Sequence, residues 1–274
     1  MNKQNKLSKI AVILAMIISG MAIFCTTMGI FNHEIYGELL KAGKLSENLY
    51  FGSIAQDIII LPVSILLFAL CVGFLLKPRA KILITIIGIV WCEFYAFGLY
   101  TIQAQYTDLY PFYLAIFGAS VYAMITGIVS FSEYKEEQVL LGKRARMSII
   151  GFLLTIPLLM IPVWSLRIAP SIAANTAPEV YGVFILDLGI VFPAIIIIIR
   201  MLIKNNKLGK ILAGIALIKV FMLCLSWGFA EAYVPLMRGT RIAVEMLGTA
   251  SFFTVISGIL LIPYLSSLAF VEQD

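Results

Sequence analysis

The sequence predicts an all-α membrane protein of eight transmembrane helices, built as two parallel four-helix repeats with both termini on the cytoplasmic side. Three observations lead there. Of the 274 residues, 61% are hydrophobic and only 13% are charged, against about 45–50% and about 25% in a typical soluble domain. The apolar residues gather in eight continuous runs, each near the roughly 20 residues that cross a bilayer. The basic residues gather in alternate loops. This composition excludes a soluble enzyme, a disordered tail and a nucleic-acid-binding domain. The net charge of +5 needs no polyanionic partner, because anchoring at the inner leaflet accounts for it.

The predicted spans are Ile10–Ile30, Ile54–Leu76, Ile82–Ile102, Phe112–Phe131, Ser148–Ile168, Val183–Ile203, Ile211–Ala230 and Met246–Phe270. The runs are continuous rather than alternating, which rules out β-barrel strands. Pro62, Pro157, Pro162, Pro193 and Pro263 fall inside them, and a bundle tolerates such residues because neighbours re-satisfy the freed carbonyls. Cys25, Cys71, Cys92 and Cys224 also fall inside apolar runs, with no C-x-x-C pair. They read as small buried hydrophobes rather than a disulfide framework.

Orientation follows from Lys and Arg. Lys3, Lys6 and Lys9 precede the first span, and Lys77, Arg79 and Lys81 join the second to the third. Lys135, Lys143, Arg144 and Arg146 join the fourth to the fifth; Arg200, Lys204, Lys207 and Lys210 surround the next loop on that side. The opposite side holds only Lys41, Lys44, Arg167, Arg238 and Arg241. Positive residues mark the cytoplasm, which places the chain in a bacterial plasma membrane with N- and C-termini inside. The first span's basic start also fits a signal peptide, but no A-x-A follows, and bulky Phe24 before Cys25 does not make a lipobox.

The chain also repeats itself. The segments from Gln56 and from Leu186 each open with an Asp. A Pro follows five residues after Asp57 (Pro62) and six after Asp187 (Pro193). Each then passes through a basic loop ending in Lys81 or Lys210, and enters a span with one central charge, Glu93 or Lys219. The next spans align Gly118 and Gly127 with Gly248 and Gly258. Two halves follow, residues 1–140 and 141–274. Four spans is an even number, so the copies are parallel repeats about an axis along the membrane normal.

Charges inside a bilayer are costly and therefore mark function. At 1.5 Å per residue, Glu93 lies about 18 Å above Lys81 and Lys219 about 14 Å above Lys210, so the two are expected to form a mid-membrane ion pair. Asp57 and Asp187 begin their spans from the outer side, either as helix caps against the dipole or, with Glu93, as an acidic outward vestibule. Tyr95, Tyr100, Tyr106, Tyr110 and Tyr113 crowd the outer ends of spans three and four, as an aromatic belt or a ligand lining. Glu231, Arg238, Arg241, Glu245 and Arg167 are placed to bridge over the vestibule. The long outer loop Phe31–Phe51 carries Ile35, Leu39 and Leu40, suiting a short interfacial helix or lid.

No cofactor or metal is implied. His33 is the single histidine, and H-E-x-x-H, G-x-S-x-G and the P-loop do not occur, which disfavours zinc, triad and nucleotide chemistry.

The stretches FGSIAQD…LP, EFYAFGLYTIQAQY and LDLGIVFPAIIIIIRMLIKNNKLGKILAGIALIK resemble an uncharacterised family of bacterial multi-pass integral membrane proteins, from about Phe51 to Ile218. That resemblance implies the eight-span architecture and a role for Asp57 and Asp187, and no particular chemistry. Three functions fit the residues. One is a small-solute or ion-coupled transporter; another is a non-transporting sensor, immunity or assembly module; the third is a carboxylate-based membrane enzyme acting on lipid through Asp57, Glu93 and Asp187. The expected partners are membrane lipids, a small solute or ion, and a protein docked on the outer loops.

Overall fold

Eight helices long and apolar enough to span a bilayer make up the chain, as a computed structural model that describes residues 6–133 and 139–270. Lys3 and Lys135, two of the residues counted for orientation, lie outside the described residues. The spans are α1 (Lys6–Phe31), α3 (Glu47–Leu76), α4 (Ala80–Ile102), α5 (Tyr110–Ser130), α6 (Lys143–Ala174), a sixth made of α7 (Tyr181–Leu186) and α8 (Phe192–Ile203), α9 (Lys207–Arg238) and α10 (Val244–Ser267). The short α2 (Glu34–Lys41) occupies the first long loop, where an interfacial helix was expected. Most spans run beyond the apolar windows, because polar first and last turns continue the helix into the headgroup zone. The last is an exception: Phe270 belongs to a strand, not to the helix.

Local chemistry sets the helix ends. Ser46 caps α3 by accepting the Leu49 amide proton, and Asn206 caps α9 by accepting from Leu208 and Gly209, so orphan first-turn donors are satisfied. Gly239 ends α9 in a left-handed conformation with φ of 64°, the position that favours a residue without Cβ.

Inside the sixth span the helix widens. Asp187–Val191 form a π-turn, and the Phe192 amide donates to the Asp187 carbonyl five residues back. Pro193 follows at the start of α8. Its ring crowds the carbonyl four residues earlier and offers no N–H, so the widened turn is the local solution. Six residues separate Asp187 from Pro193 where five separate Asp57 from Pro62, and a π-turn accommodates one extra residue within a helix.

The two ends of the bundle differ. At the basic end, strand β1 (Val139–Leu140) pairs antiparallel with β2 (Ala269–Phe270), Lys81 Nζ donates to the Leu265 carbonyl at 2.6 Å, and Lys210 Nζ donates to the Val139 carbonyl at 2.9 Å. At the far end lie α2 and the loops before α5, α7 and α10. Within the first four spans α1 packs on α3 and α5, and α4 on α3 and α5; within the last four α6 packs on α8 and α10, and α9 on α8 and α10. Between the two sets α4 meets α9, α3 meets α9 and α4 meets α7. The helices α4 and α9 form the packed centre: Ile86–Val90 and residues 213–220 are buried, and Gly88 lets the Ile218 side chain approach within 2.8 Å of where a Cβ would stand. The outer surface is apolar, with Ile17, Ile65, Leu158, Leu166 and Ile197 among the exposed large side chains, as a lipid-facing surface requires.

Candidate functional site

A cavity of about 590 Å³ lies between α3, α4, α6, the sixth span and α9, within the range of small-molecule sites. At the far end of the bundle its lining includes Glu179, Arg167, Arg238, Thr240 and Arg241. It deepens past Gln56, Gln103, Trp164 and Trp227 to a floor holding Asp187, Lys219, Tyr95 and Cys224. No residue of α9 before Lys219 lines it, and the packed stretch 213–220 closes it toward the basic end.

The floor is electrostatically incomplete. Lys219 is 1% exposed and sits over aromatic faces, 4.7 Å from the centre of the Tyr95 ring and 5.9 Å from that of Trp91. Cation–π contact of this kind stabilises a desolvated ammonium by about 2 kcal/mol. Among the described residues it has neither a hydrogen-bond acceptor nor an ion pair; the one salt bridge found is Arg238–Glu47, at 3.5 Å. Asp187, 6% exposed, accepts the Trp164 indole proton on Oδ2 at 2.8 Å. Its other oxygen, Oδ1, is buried with no hydrogen-bond partner. The Tyr95 hydroxyl and Lys219 both face Asp187, the hydroxyl as a donor beyond ordinary hydrogen-bond distance of Oδ1 and the ammonium as an opposite charge outside ion-pair distance.

Eight of the residues singled out in the sequence as charged or tyrosine candidates line this cavity: Asp187, Lys219, Tyr95, Tyr100, Glu231, Arg167, Arg238 and Arg241. Glu231 accepts from the Trp227 indole at 2.8 Å, and the Arg167 guanidinium lies 5.4 Å from the centre of the Trp164 ring. Of the expected bridges over the mouth, Arg238 takes Glu47, and Glu245 is not among the lining residues.

Glu93 and Asp57 lie elsewhere. The expected Glu93–Lys219 pair does not form, for a reason of helical phase. Trp91 and Tyr95, four residues apart, present one face of α4 to Lys219; Glu93, two residues from each, is turned about 160° from that face at 3.6 residues per turn. Its Oε1 accepts from Ser64 Oγ of α3 at 2.7 Å, and its Oε2 has no partner. Since Trp91 and Tyr95, on either side of Glu93 in the chain, both stand beside Lys219, rotation about the helix axis separates the two charges.

Asp57 is neither a cap nor part of a vestibule. It stands ten residues into α3, at 1% exposure, and Ser46 does the capping. Tyr36 Oη donates to its Oδ2 at 2.7 Å and Tyr100 Oη to its Oδ1 at 2.8 Å; Tyr113 stands 3.3 Å from the Tyr36 hydroxyl. Gly29 makes room, because a Cβ there would stand 1.9 Å from Asp57 Oδ2. This cluster fastens α2 to the bundle. Tyr95, Tyr100 and Tyr113 are accordingly core residues, and the interfacial reading suits Tyr106, which is 67% exposed.

The residues that sequence reasoning missed are Gln56, Gln103, Trp164, Glu179 and Trp227. Gln56 beside Asp57 within an apolar run, and an indole amid the apolar run of α6, are the signals that point to them, since buried amides and indoles need partners.

Fold and cavity together define an eight-span, all-α membrane protein with a polar-floored internal site. No protein-family model matches the chain, and neither a curated protein nor a solved structure matches it. The site is therefore read from its own geometry.

Proposed function

We propose that this chain binds a small solute at mid-membrane depth and carries it across the bacterial plasma membrane by alternating access between two duplicated halves. The observation that carries this reading is the 590 Å³ cavity running from the far end of the bundle to Lys219 and Asp187. A scaffold whose charges only hold helices together would pair them and be dry at that depth. Here Lys219 and Asp187 both line a cavity, and neither an ion pair nor a hydrogen bond joins them.

Three features support duplication. The helix-pairing pattern of the first four spans recurs in the last four. Asp57 and Asp187, and Gly118 and Gly248, are each 130 residues apart. The pairing of Val139 with Phe270 and Leu140 with Ala269 maps onto itself under the same offset, as a two-fold axis between equivalent segments requires. Lys81 and Lys210 each reach across to a carbonyl at or beyond the end of the other half's last span, the same reciprocity. The bias of basic residues puts that end in the cytoplasm, so the cavity faces outward. Parallel repeats around a central site suit rocking of one half against the other.

The test is transport by protein reconstituted in liposomes, assayed as uptake or counterflow against a panel of labelled amino acids, organic acids, amines and sugars. A solute that exchanges across wild-type liposomes and not across K219M liposomes supports the reading. Binding without exchange, for every solute that binds, would make the chain a receptor instead.

A further inference from the structure

We infer that the solute is a zwitterion, an α-amino acid with a sizeable apolar side chain, whose carboxylate meets Lys219 and whose ammonium meets Asp187. The inference rests on the solute-binding reading above and adds the ligand's chemistry.

The floor presents two opposite charges side by side that do not satisfy one another. Asp187 keeps one oxygen on the Trp164 indole and leaves Oδ1 without a donor. Lys219 stands on the Tyr95 ring with its ammonium hydrogens unmatched by any acceptor among the described residues. Both side chains are more than nine-tenths buried and both line the cavity. An unpaired buried charge is costly, and a ligand carrying one group of each sign, a few bonds apart, completes both at once. An anion alone would strand Asp187; a cation alone would strand Lys219.

The first half supplies the comparison. Asp57, 130 residues before Asp187, has both oxygens taken by tyrosine hydroxyls, and no open space beside it is needed. At Asp187 only the Trp164 indole donates at hydrogen-bond distance, the Tyr95 hydroxyl facing it from further off, and the residue lines the cavity. The α-ammonium of the ligand supplies the second close donor, which a tyrosine hydroxyl supplies at Asp57. Around Asp187 and Lys219 the lining includes Met160, Phe192, Ile195 and Leu223, which suit an apolar side chain rather than a sugar or a second charge.

The experiment uses the full-length protein in nanodiscs of phosphatidylglycerol, read by intrinsic fluorescence of Trp164 and Trp227. L-Phenylalanine, 2-phenylethylamine and 3-phenylpropionate are titrated as the zwitterion and its two single-charge analogues. The zwitterion should bind at least about tenfold more tightly than either analogue, because each analogue leaves one buried group unpaired. In D187N the advantage over 3-phenylpropionate should vanish while that over the amine persists; in K219M the reverse should hold. Equal binding of all three by the wild-type protein overturns the assignment without needing either variant to fold. If another solute of the transport panel binds and L-phenylalanine does not, the zwitterion is wrong and the solute site stands. If no solute titrates and none is transported, the solute-binding reading itself fails. A fluorescence response to phosphatidylethanolamine in the disc, with none to L-phenylalanine, would assign the same charge pair to a lipid headgroup and overturn the free amino acid.

Discussion

Replacing Lys219 by Met should leave the fold at least about as stable while weakening solute binding at least about tenfold. The reasoning is a balance of two terms. A Lys at the centre of a spanning helix costs about 2.5–3.5 kcal/mol on insertion scales, and here no ion pair or hydrogen bond offsets it. Cation–π contact with Tyr95 and Trp91 returns about 2 kcal/mol. Before the attraction of the facing Asp187 is counted, the net is a penalty of about 1 kcal/mol; Met, similar in length and apolar, fills the same space without it, so the fold should lose little or nothing. The assay is reversible unfolding in mixed micelles with rising SDS fraction, followed by circular dichroism, beside the fluorescence titration of the solute. An unfolding midpoint at or above that of the wild type, with binding at least about tenfold weaker, is the expected pair of results. A loss of stability above about 2 kcal/mol would show that Lys219 holds the bundle together through partners that geometry does not reveal, and the functional reading of the floor would fail. Such opposition between stability and function is the signature of a binding group kept at a cost to the fold.

Other perturbations follow from the same geometry. Y36F keeps the ring and removes the donor to Asp57 Oδ2, so stability should fall by about 1–3 kcal/mol, with faster amide exchange confined to α2; unchanged exchange there would refute the fastening role. P193A restores an amide opposite Gly189 and allows the π-turn to close to an α-turn, which rotates Asp187 by about 100°; solute affinity should drop while the unfolding midpoint stays close to the wild-type value. Gly214 stands where a Cβ would lie 2.3 Å from the buried Tyr264 ring, so G214A should lose about 1–3 kcal/mol through overpacking, and Y264L should recover part of that loss.

Much of the architecture was legible because hydrophobic runs and basic loops are one-dimensional signals. Each span can be counted, and a charge inside one is visible without knowing its neighbours. For that reason Asp187 and Lys219 could be singled out from the sequence, and both line the cavity. Which charges meet is a different kind of information. Glu93 and Lys219 match in depth, yet the face of α4 toward α9 is set by how two distant helices are rotated, and sequence counting carries depth but not rotation. Asp57 and Asp187 look alike in the sequence because each is an Asp that a Pro follows within six residues. What separates them is the donors around them, Tyr36 on the loop helix α2 and Tyr100 on α4 for one and Trp164 on α6 for the other. The π-turn was half visible, since the extra residue between Asp187 and Pro193 is plain in the sequence, while its consequence, the aim of a carboxylate, is three-dimensional.

The most direct measurement uses Cys224, which lines the floor of the cavity beside Lys219, while Cys25, Cys71 and Cys92 are buried outside it. A membrane-impermeant methanethiosulfonate added to the outer face of intact cells should modify Cys224 and leave the other three thiols free, with reaction slowed by the bound solute. Modification of none of the four, or of Cys224 only after the cytoplasmic face is opened, would contradict an outward-facing cavity at that depth.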